Sequence, residues 1–464
     1  MKVKTIIRKK YDNLSENNRI VIVNVIGSFF VKGLSMIVSF LTVPAYIKFF
    51  NGEIVLGVWF TILSVISWVL NFDLGIGNGL RNYLTVAYIE KDFEEAKRLI
   101  SSAYIVIGAI TFIIIVISLK CFDYVSWNDF FKVEKDVISD GTMLLTVKVV
   151  FVGIVLQIFF KIISSVLYAI QKSSVNNILS LVTAVIILIA AIFSSSKDNN
   201  YNIVYMSVIY DISIVLPYIV ASIVIFYKKK YRVMTPSLSS VSMVHVQRVL
   251  SLGGYFFFVQ VLYMLIMSTN EYIISLLTNS ADVVDYKVYF QIFTMGSTIF
   301  FLALTPVWSV ITKAIAERDI EWIDILYWKL LKMGGGGMLV ELLIIPLLQV
   351  IFDVWLGEDV LRVNYIYAIT FAVLGTLMIF NAVLSSVANG MGTLQTQLIV
   401  FLCGASIKFP LAILLVKLTG TWIGVVMATN IALLIYCLVQ PITVHRQLKQ
   451  MRFLKKKTVD KTAV

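Results

Sequence analysis

Long apolar stretches recur along the whole chain, and short polar segments separate them. Each stretch is close to the roughly 20 residues that an α-helix needs to cross the hydrocarbon core of a bilayer. The first six lie near residues 20–48, 54–79, 98–119, 142–170, 177–195 and 203–227. The second six lie near residues 249–274, 286–312, 329–352, 362–388, 396–417 and 421–443. The pattern therefore predicts an all-α integral membrane protein with about twelve transmembrane helices.

The composition indicates that a bilayer is the main solvent of the chain. Hydrophobic residues make up 59% of the 464 residues, charged residues make up 14%, and the mean hydropathy is +0.90. A soluble domain carries about 25% charged residues, so this chain has too few to cover its surface in water. The apolar stretch from Ile20 also exceeds the usual core of a signal peptide, so we expect no cleavable signal.

Lysine and arginine fall mainly in alternate connections between the apolar stretches. With the N-terminus in the cytoplasm, 27 of the 39 basic residues lie in cytoplasmic segments and 8 in outer segments. This asymmetry predicts twelve spans with both termini in the cytoplasm. Membrane topology thus accounts for the net charge of +12, and we expect no nucleic-acid partner.

A polar, basic segment at residues 228–248 separates the two sets of six stretches. It predicts an N-terminal six-helix bundle at residues 1–227 and a C-terminal six-helix bundle at residues 249–445. A basic cytoplasmic tail follows at residues 446–464. The separating segment itself is expected to be a cytoplasmic linker between the two bundles.

The two halves also resemble each other in sequence. A shift of 227 residues pairs Thr85 with Thr312, and it places residues 90–92 (Glu-Lys-Asp) on residues 317–319 (Glu-Arg-Asp). Because each repeat holds an even number of spans, the repeats are parallel and related by an axis along the membrane normal. We therefore expect two parallel bundles around a central cavity, an arrangement that suits alternating access.

The first stretch carries a polar face with a cation near its middle. Its polar residues follow one another at spacings of three or four: Asn24, Ser28, Lys32, Ser35, Ser39 and Thr42. At 100° per residue they fall within an arc of about 80°. A charge at the bilayer centre costs roughly 2.5–3.5 kcal/mol, which favours a face that lines a water-filled cavity and binds substrate. The alternative interpretation is a helix-packing seam of small residues, with Lys32 extended towards the interface.

Other charged residues lie within later stretches. Lys161 and Lys408 extend the set of candidate substrate-binding cations, while Glu341 and Asp211 are candidates for binding a coupling ion. The alternative role of both acids is to pair with the lysines. Mid-membrane cations outnumber mid-membrane acids, which favours an anionic substrate such as a diphosphate headgroup that contacts two or three lysines. We expect no cofactor and no metal site, because the chain has no phosphate-binding loop and no zinc-protease motif.

Motifs in the second and eighth stretches carry a family resemblance. The second stretch ends in Asp73-Leu-Gly-Ile-Gly-Asn-Gly-Leu-Arg81-Asn82, after Pro44 and Gly57-Val-Trp59. The eighth contains Pro306-Val-Trp308, followed by Ala314, Asp319 and Trp322. In these motifs and in its span count, the chain resembles the Wzx-type oligosaccharide-lipid flippases. These belong to the multidrug/oligosaccharidyl-lipid/polysaccharide exporter superfamily.

The resemblance implies a flippase of the bacterial cytoplasmic (inner) membrane. Such a protein moves an undecaprenyl-diphosphate-linked oligosaccharide repeat unit from the inner to the outer leaflet for O-antigen or capsule synthesis. It implies alternating access coupled to ion antiport, with a polysaccharide polymerase and chain-length machinery as partners. Within the motif, Asp73, Gly75, Gly77 and Arg81 form either a gate or a helix terminus that anchors a loop.

Two other functions are compatible with a chain of many spans. An ion-coupled multidrug exporter of the same superfamily would share the fold, but it is expected to line its cavity with acids. A polysaccharide polymerase is a membrane enzyme and is expected to carry a substantial outer loop. The longest predicted outer loop here, roughly residues 120–140, is short and holds no catalytic constellation. We therefore expect a transporter and not an enzyme.

Replacement of Lys32 by alanine tests the cavity interpretation of the first stretch. We expect Lys32→Ala to abolish transport while the protein still accumulates in the membrane, because the lost interaction is with the substrate and not within the fold. The measurement is transport activity normalised to the amount of protein in the membrane. Full activity of the variant would remove Lys32 from the site.

Overall fold

The computed structural model describes residues 16–50, 53–71, 75–131, 133–193, 198–278, 282–356 and 361–462. The first nine helices are α1 (Glu16–Phe50), α2 (Glu53–Asn71), α3 (Ile76–Ile89), α4 (Phe93–Cys121), α5 (Trp127–Phe131), α6 (Asp140–Phe160), α7 (Ile162–Ala169), α8 (Ser173–Phe193) and α9 (Asn199–Tyr227). The next nine are α10 (Met243–Met267), α11 (Asn270–Leu277), α12 (Asp282–Phe293), α13 (Met295–Ala316), α14 (Ile320–Ile344), α15 (Leu348–Leu356), α16 (Tyr365–Met391), α17 (Gln395–Thr419) and α18 (Ile423–Thr462). Short 3₁₀ helices lie at Phe122–Tyr124, Arg232–Met234, Leu238–Ser240 and Ile345–Leu347. The predicted all-α fold class is confirmed.

Eleven helical segments in this part of the chain are long and apolar enough to cross a membrane. The predicted second span, residues 54–79, is not one continuous helix, because α2 ends at Asn71 and α3 begins at Ile76. Gly75 lies between them with a φ of 69°, a left-handed conformation that interrupts a right-handed helix. The count of about twelve apolar helices is confirmed, with the second divided between α2 and α3.

Four further predicted spans are interrupted where the sequence pattern predicts continuous helix, among them residues 286–312 at Thr294 and residues 329–352 at the 3₁₀ helix Ile345–Leu347. The span at residues 142–170 is divided into α6 and α7 at Lys161. The span at residues 249–274 is divided into α10 and α11, because helix α10 ends at Met267 and α11 begins at Asn270. These last two segments stay apolar across the interruption, so hydropathy alone does not detect it.

The chain folds into two compact units, each with six of the predicted spans. The first consists mainly of residues 18–257 and the second mainly of residues 258–464, so the boundary falls within α10. Residues 228–248, which the sequence predicts to be a linker, therefore pack with the first unit. The predicted tail from residue 446 continues helix α18 as far as Thr462.

The sequence repeat has the same local structure in both units. Lys91 and Arg318, which the 227-residue shift pairs, adopt left-handed φ values of 60° and 57°. The residue after each, Asp92 or Asp319, donates its N–H to an alanine oxygen five residues earlier, at 2.9 and 2.8 Å. Each aspartate side chain then accepts the N–H three residues later as the N-cap of α4 or α14. The repeat is thus a structural one at this turn.

A second left-handed turn also occurs once in each unit. Gln171, with a φ of 61°, joins α7 to α8, and Gly392, with a φ of 69°, joins α16 to α17. In both turns the next N–H bonds to a carbonyl five residues back, Lys172 to Leu167 at 2.8 Å and Thr393 to Ala388 at 3.1 Å. These bonds satisfy carbonyls at the helix end, as in a Schellman motif.

The glycine-rich motif allows α3 to pack directly on the backbone of α10. A Cβ atom added at Gly75 would lie 2.0 Å from the carbonyl oxygen of Gly253, and one at Gly79 would lie 2.7 Å from the nitrogen of Gly253. Gly77 is buried in the same helix. Small residues of this kind permit close helix approach in membranes.

The first unit has two apolar cores, one near each end of its helices. The core beside the Lys91 turn includes Leu80, Ile100 and Leu167 from α3, α4 and α7. The other is rich in aromatic rings and includes Phe49 and Trp59. Helix α3 therefore contributes to a tightly packed region, and its buried polar residues are held in fixed positions.

Replacement of Gly79 by alanine tests the close packing of α3 on α10. We expect the free energy of unfolding to fall by about 1–3 kcal/mol. The new methyl group would clash with backbone atoms of α10, which cannot move aside as a flexible side chain can. Gly57→Ala is the matched control, since no heavy atom lies within 4 Å of its added Cβ. The measurement is the thermal unfolding midpoint of the purified protein in detergent. Equal midpoints for both variants would contradict the packing.

Candidate functional site

The polar face of α1 is attached to the rest of the first unit at its start. Asn24 donates from Nδ2 to the carbonyl oxygen of Gln171 at 3.2 Å, and its Oδ1 accepts the N–H of Ser174 at 3.3 Å. Asn24 and Ser28 are both buried. This part of the face packs on the turn between α7 and α8, as a helix-packing seam does.

Further along α1 the same face is partly exposed. Ser35 is buried and donates to the carbonyl oxygen of Val31 at 3.0 Å, whereas Lys32 and Ser39 are exposed. No ion pair joins Lys32 to any residue that the structure describes. The predicted role of Lys32 in substrate binding stays a prediction, and its ammonium is accessible for that role.

Two predicted site residues from different motifs interact with one tyrosine. The guanidinium of Arg81 lies 4.2 Å from the ring centroid of Tyr168, and the ammonium of Lys161 is also close enough to Tyr168 to interact electrostatically. Arg81 is only 2% exposed, and Lys161 lies at the interruption between α6 and α7. We call Arg81, Lys161 and Tyr168 the cationic cluster. The sequence places Tyr168 on the face of Lys161, but nothing in it indicates that Arg81 joins them.

Lys408 has a different environment in the second unit. It is 2% exposed, and its ammonium donates to the carbonyl oxygens of Leu265, at 3.4 Å, and Ile266. It also donates to Oγ1 of Thr269 at 2.8 Å. These oxygens lie where α10 ends and α11 begins, so Lys408 satisfies the backbone of a broken helix. Its predicted role in substrate binding is untested, but its three donors already have acceptors.

The two acids predicted to couple an ion both lie against glycines. A Cβ atom added at Gly153 would lie 2.0 Å from the carboxyl carbon of Asp211. One added at Gly296 or at Gly375 would lie 2.8 Å from an atom of the Glu341 carboxylate. Oδ1 of Asp211 and Oε2 of Glu341 are buried and lack a hydrogen-bond partner among the described residues. The alternative is that these acids pair with lysines. No ion pair between either acid and a lysine occurs among the described residues.

A carboxylate with one buried oxygen that lacks a hydrogen-bond partner is only partly stabilised by the protein. Its charge is costly to bury unless a proton or a cation neutralises it. Asp211 and Glu341 therefore have the surroundings that a coupling ion or proton requires, one in each unit. Their assignment as coupling sites stays a prediction.

The motif residues of the second stretch fall into two groups. Asp73 lies outside the described residues. Gly75 and Gly77 belong to the packing region of α3, while Arg81 belongs to the cationic cluster. The predicted gating role of this motif stays a prediction. Gly75 lies at the start of α3, where α3 packs on the backbone of α10.

Sequence reasoning missed a cluster that attaches residues 228–248 to the first unit. His245 Nε2 and Arg248 Nη1 each lie 2.6 Å from a carboxylate oxygen of Glu95 in α4. The guanidinium of Arg248 also lies 4.8 Å from the ring centroid of Tyr83. The only available signal was the spacing of three between two basic residues at the start of α10, which places them on one helical face.

Comparisons with known proteins identify the fold. No protein-family model and no curated protein matches the chain. A multidrug resistance MATE family transporter of the MOP superfamily, in an outward-facing conformation, matches with a TM-score of 0.74 at 16% identity over 94% of this chain and 97% of that one. MATE in a bent conformation matches with a TM-score of 0.75 at 15% identity, over 94% of this chain and 98% of that one.

A third similar structure is a MOP superfamily transporter from Pyrococcus furiosus described as having a binding pocket of reverse polarity. It matches with a TM-score of 0.72 at 15% identity, over 94% of this chain and 97% of that one. Together with the apolar helices, these matches establish that the chain is a multi-pass membrane protein with a MATE-like fold of two six-helix halves.

Replacement of Lys408 by methionine separates a structural role from a binding role. We expect Lys408→Met to lower the free energy of unfolding by about 1–3 kcal/mol, because acceptors at the α10–α11 interruption lose their donor. Lys417→Met, at an exposed residue of the same helix, is the control. The measurement is the thermal unfolding midpoint in detergent. An unchanged midpoint together with lost transport would instead assign Lys408 to the substrate.

Proposed function

We propose that the protein is a flippase for an undecaprenyl-diphosphate-linked oligosaccharide, moving it from the inner to the outer leaflet of the bacterial cytoplasmic membrane. The observation that carries the proposal is the cationic cluster, in which Arg81 stacks on Tyr168 and Lys161 interacts electrostatically with the same tyrosine. The exposed ammonium of Lys32 belongs to the same unit. An anionic headgroup is the ligand that this combination favours.

The chemistry of a diphosphate matches these side chains. Its oxygens accept charge-assisted hydrogen bonds from guanidinium and ammonium groups, which are about twice as strong as neutral ones. A phenol hydroxyl adds a further donor. A cationic drug would be repelled by the same cluster, so the cluster favours an anion.

Ion-coupled multidrug export is the second candidate, and two observations favour it. The similar structures include a multidrug resistance MATE family transporter. Asp211 and Glu341 also provide one buried, unpaired carboxylate oxygen in each unit, the feature expected of a cation exporter. By fold likeness alone, drug export is the better supported of the two.

The substrate polarity decides our preference for the flippase. At 15–16% identity the likeness defines a fold and leaves the substrate open. The Pyrococcus furiosus transporter supports this distinction, because its reverse pocket polarity is taken to suggest a different function within the same superfamily. The cations of the first unit and the motif from Asp73 to Asn82 favour a lipid-linked anion. In this proposal Asp211 and Glu341 bind the antiported ion.

The proposed role places the protein before a polymerase in surface polysaccharide synthesis. Its product is a lipid-linked unit on the outer leaflet, which a polysaccharide polymerase and chain-length machinery would consume. Both the inner-membrane location and these partners belong to the proposal.

Deletion of the gene in its host tests the function directly. We expect undecaprenyl-linked units to accumulate on the cytoplasmic leaflet and surface polysaccharide to be lost, with drug sensitivity unchanged. Complementation with Lys161→Ala should restore less than about one tenth of the polymer, since one charge-assisted contact is worth roughly 1.5–3 kcal/mol. Lys120→Ala, in which the replaced lysine is exposed at the end of α4, should restore it fully.

Three results would contradict the proposal. Unchanged polysaccharide with new drug sensitivity would establish drug export. Single units stranded on the outer leaflet would indicate a polymerase. Full complementation by Lys161→Ala would remove the cationic cluster from the binding site even if the deletion phenotype were that of a flippase.

A further inference from the structure

A cavity of about 350 Å³ lies at the end of the first unit where α4 finishes. It is bounded by the 3₁₀ helix Phe122–Tyr124, by helix α5 and by the first turn of α6. Its volume is within the range of about 300–1,000 Å³ that is usual for small-molecule sites. The Lys91 turn lies at the opposite end of α4, so the predicted topology places this cavity on the outer side of the membrane.

Hydrogen bonds hold the walls of the cavity in place. Asn128 is 2% exposed and donates from Nδ2 to the carbonyl oxygen of Ile138 at 2.7 Å, which closes the loop between α5 and α6. Trp127 donates from its indole to the carbonyl oxygen of Phe122 at 3.0 Å. Ser139 donates its N–H to Oδ1 of Asn200 at 2.9 Å, which ties the loop to α9. The site is therefore built before any ligand arrives.

The two carboxylates that line the cavity are already balanced in charge. Asp123 pairs with Lys148, and Asp140 pairs with Lys135 at 2.6 Å. The hydrogen bond to Asp140 raises the pKa of Lys135, which keeps its ammonium charged. Each carboxylate has about four acceptor positions, and a lysine occupies one of them. The cavity thus offers spare acceptors with little net charge, which suits a neutral ligand rich in hydroxyl groups.

Aromatic rings and a buried amide complete the lining. Tyr124 is 90% exposed, so its ring is open to a ligand at the edge of the cavity. Trp127 also lines the cavity, and its ring packs edge-on against Phe122 and Phe130. Oδ1 of Asn128, also a lining residue, has no hydrogen-bond partner among the described residues. Flat aromatic surfaces next to oxygen acceptors are complementary to the apolar face and the hydroxyl edge of a sugar ring.

We propose that this cavity binds one sugar residue of the transported lipid-linked unit, at its outer exit from the protein. That the sugar belongs to the transported unit rests on the proposed function. The binding of a free sugar to the cavity is independent of that function. The competing explanation is an aromatic anchor at the membrane interface, where tyrosine and tryptophan are common. That explanation leaves the balanced carboxylates and the hydrogen-bonded loop without a role.

The binding test uses the full-length protein in detergent micelles and saturation-transfer NMR. The probes are glucose, galactose, mannose and N-acetylglucosamine, each titrated to about 10 mM, a range that detects the weak affinities typical of a single sugar. We expect transfer to at least one probe and a loss of affinity of about tenfold in Tyr124→Ala. Phe193→Ala is the control, because Phe193 is 81% exposed at the same end of the unit but does not line the cavity.

The outcomes distinguish this inference from the proposed function. No transfer to any probe, or equal affinity in wild type and Tyr124→Ala, would overturn the sugar site and leave the deletion phenotype unaffected. In cells, Tyr124→Ala should reduce surface polymer while Phe193→Ala does not. If Tyr124→Ala loses sugar binding but leaves the amount of surface polymer unchanged, the bound sugar does not come from the transported unit. Equal losses of surface polymer in both variants would favour a membrane anchor.

Discussion

The structure depends above all on the need to satisfy backbone polar groups where water is absent. A continuous helix does this by itself, but each interruption exposes carbonyl and N–H groups that need other partners. At the α10–α11 interruption the ammonium of Lys408 supplies them. At the exposed turns formed by Lys91 and Arg318, where water is also available, left-handed residues and aspartate N-caps pair the backbone groups at the helix ends. The broken helices are therefore stable only with their specific polar neighbours.

The same constraint divides the intramembrane charges into groups with different chemistry. The ammonium of Lys408 is bound by oxygens of the protein itself, whereas Arg81 stacks on the ring of Tyr168 and Lys161 interacts electrostatically with the same tyrosine. Asp211 and Glu341 lie on glycines that leave room for a carboxylate. A count of charges in the sequence treats all of them alike. Their neighbours separate a structural cation from candidate substrate and ion ligands, and the proposed function follows from the second group.

The fold was largely predictable because its main signals are local. Spans follow from apolar length, and the repeat at Glu90-Lys91-Asp92 follows from residues that form a turn by themselves. The interruption at Lys161 and the one after Met267 were not predictable, since both segments remain apolar throughout. The attachment of His245 and Arg248 to Glu95 was also missed, because it joins residues about 150 positions apart.

The sequence by itself determined the membrane class, the helix count and the two-fold repeat, because hydropathy and turn chemistry act over a few residues. It also identified the residues whose charge needs an explanation. Only the tertiary structure decided which of them meet. Arg81 joins Tyr168, Lys408 caps a helix end, and the Asp123 carboxylate pairs with Lys148 of another helix beside a cavity. Such contacts depend on how distant helices pack, and one-dimensional periodicity carries no information about that packing.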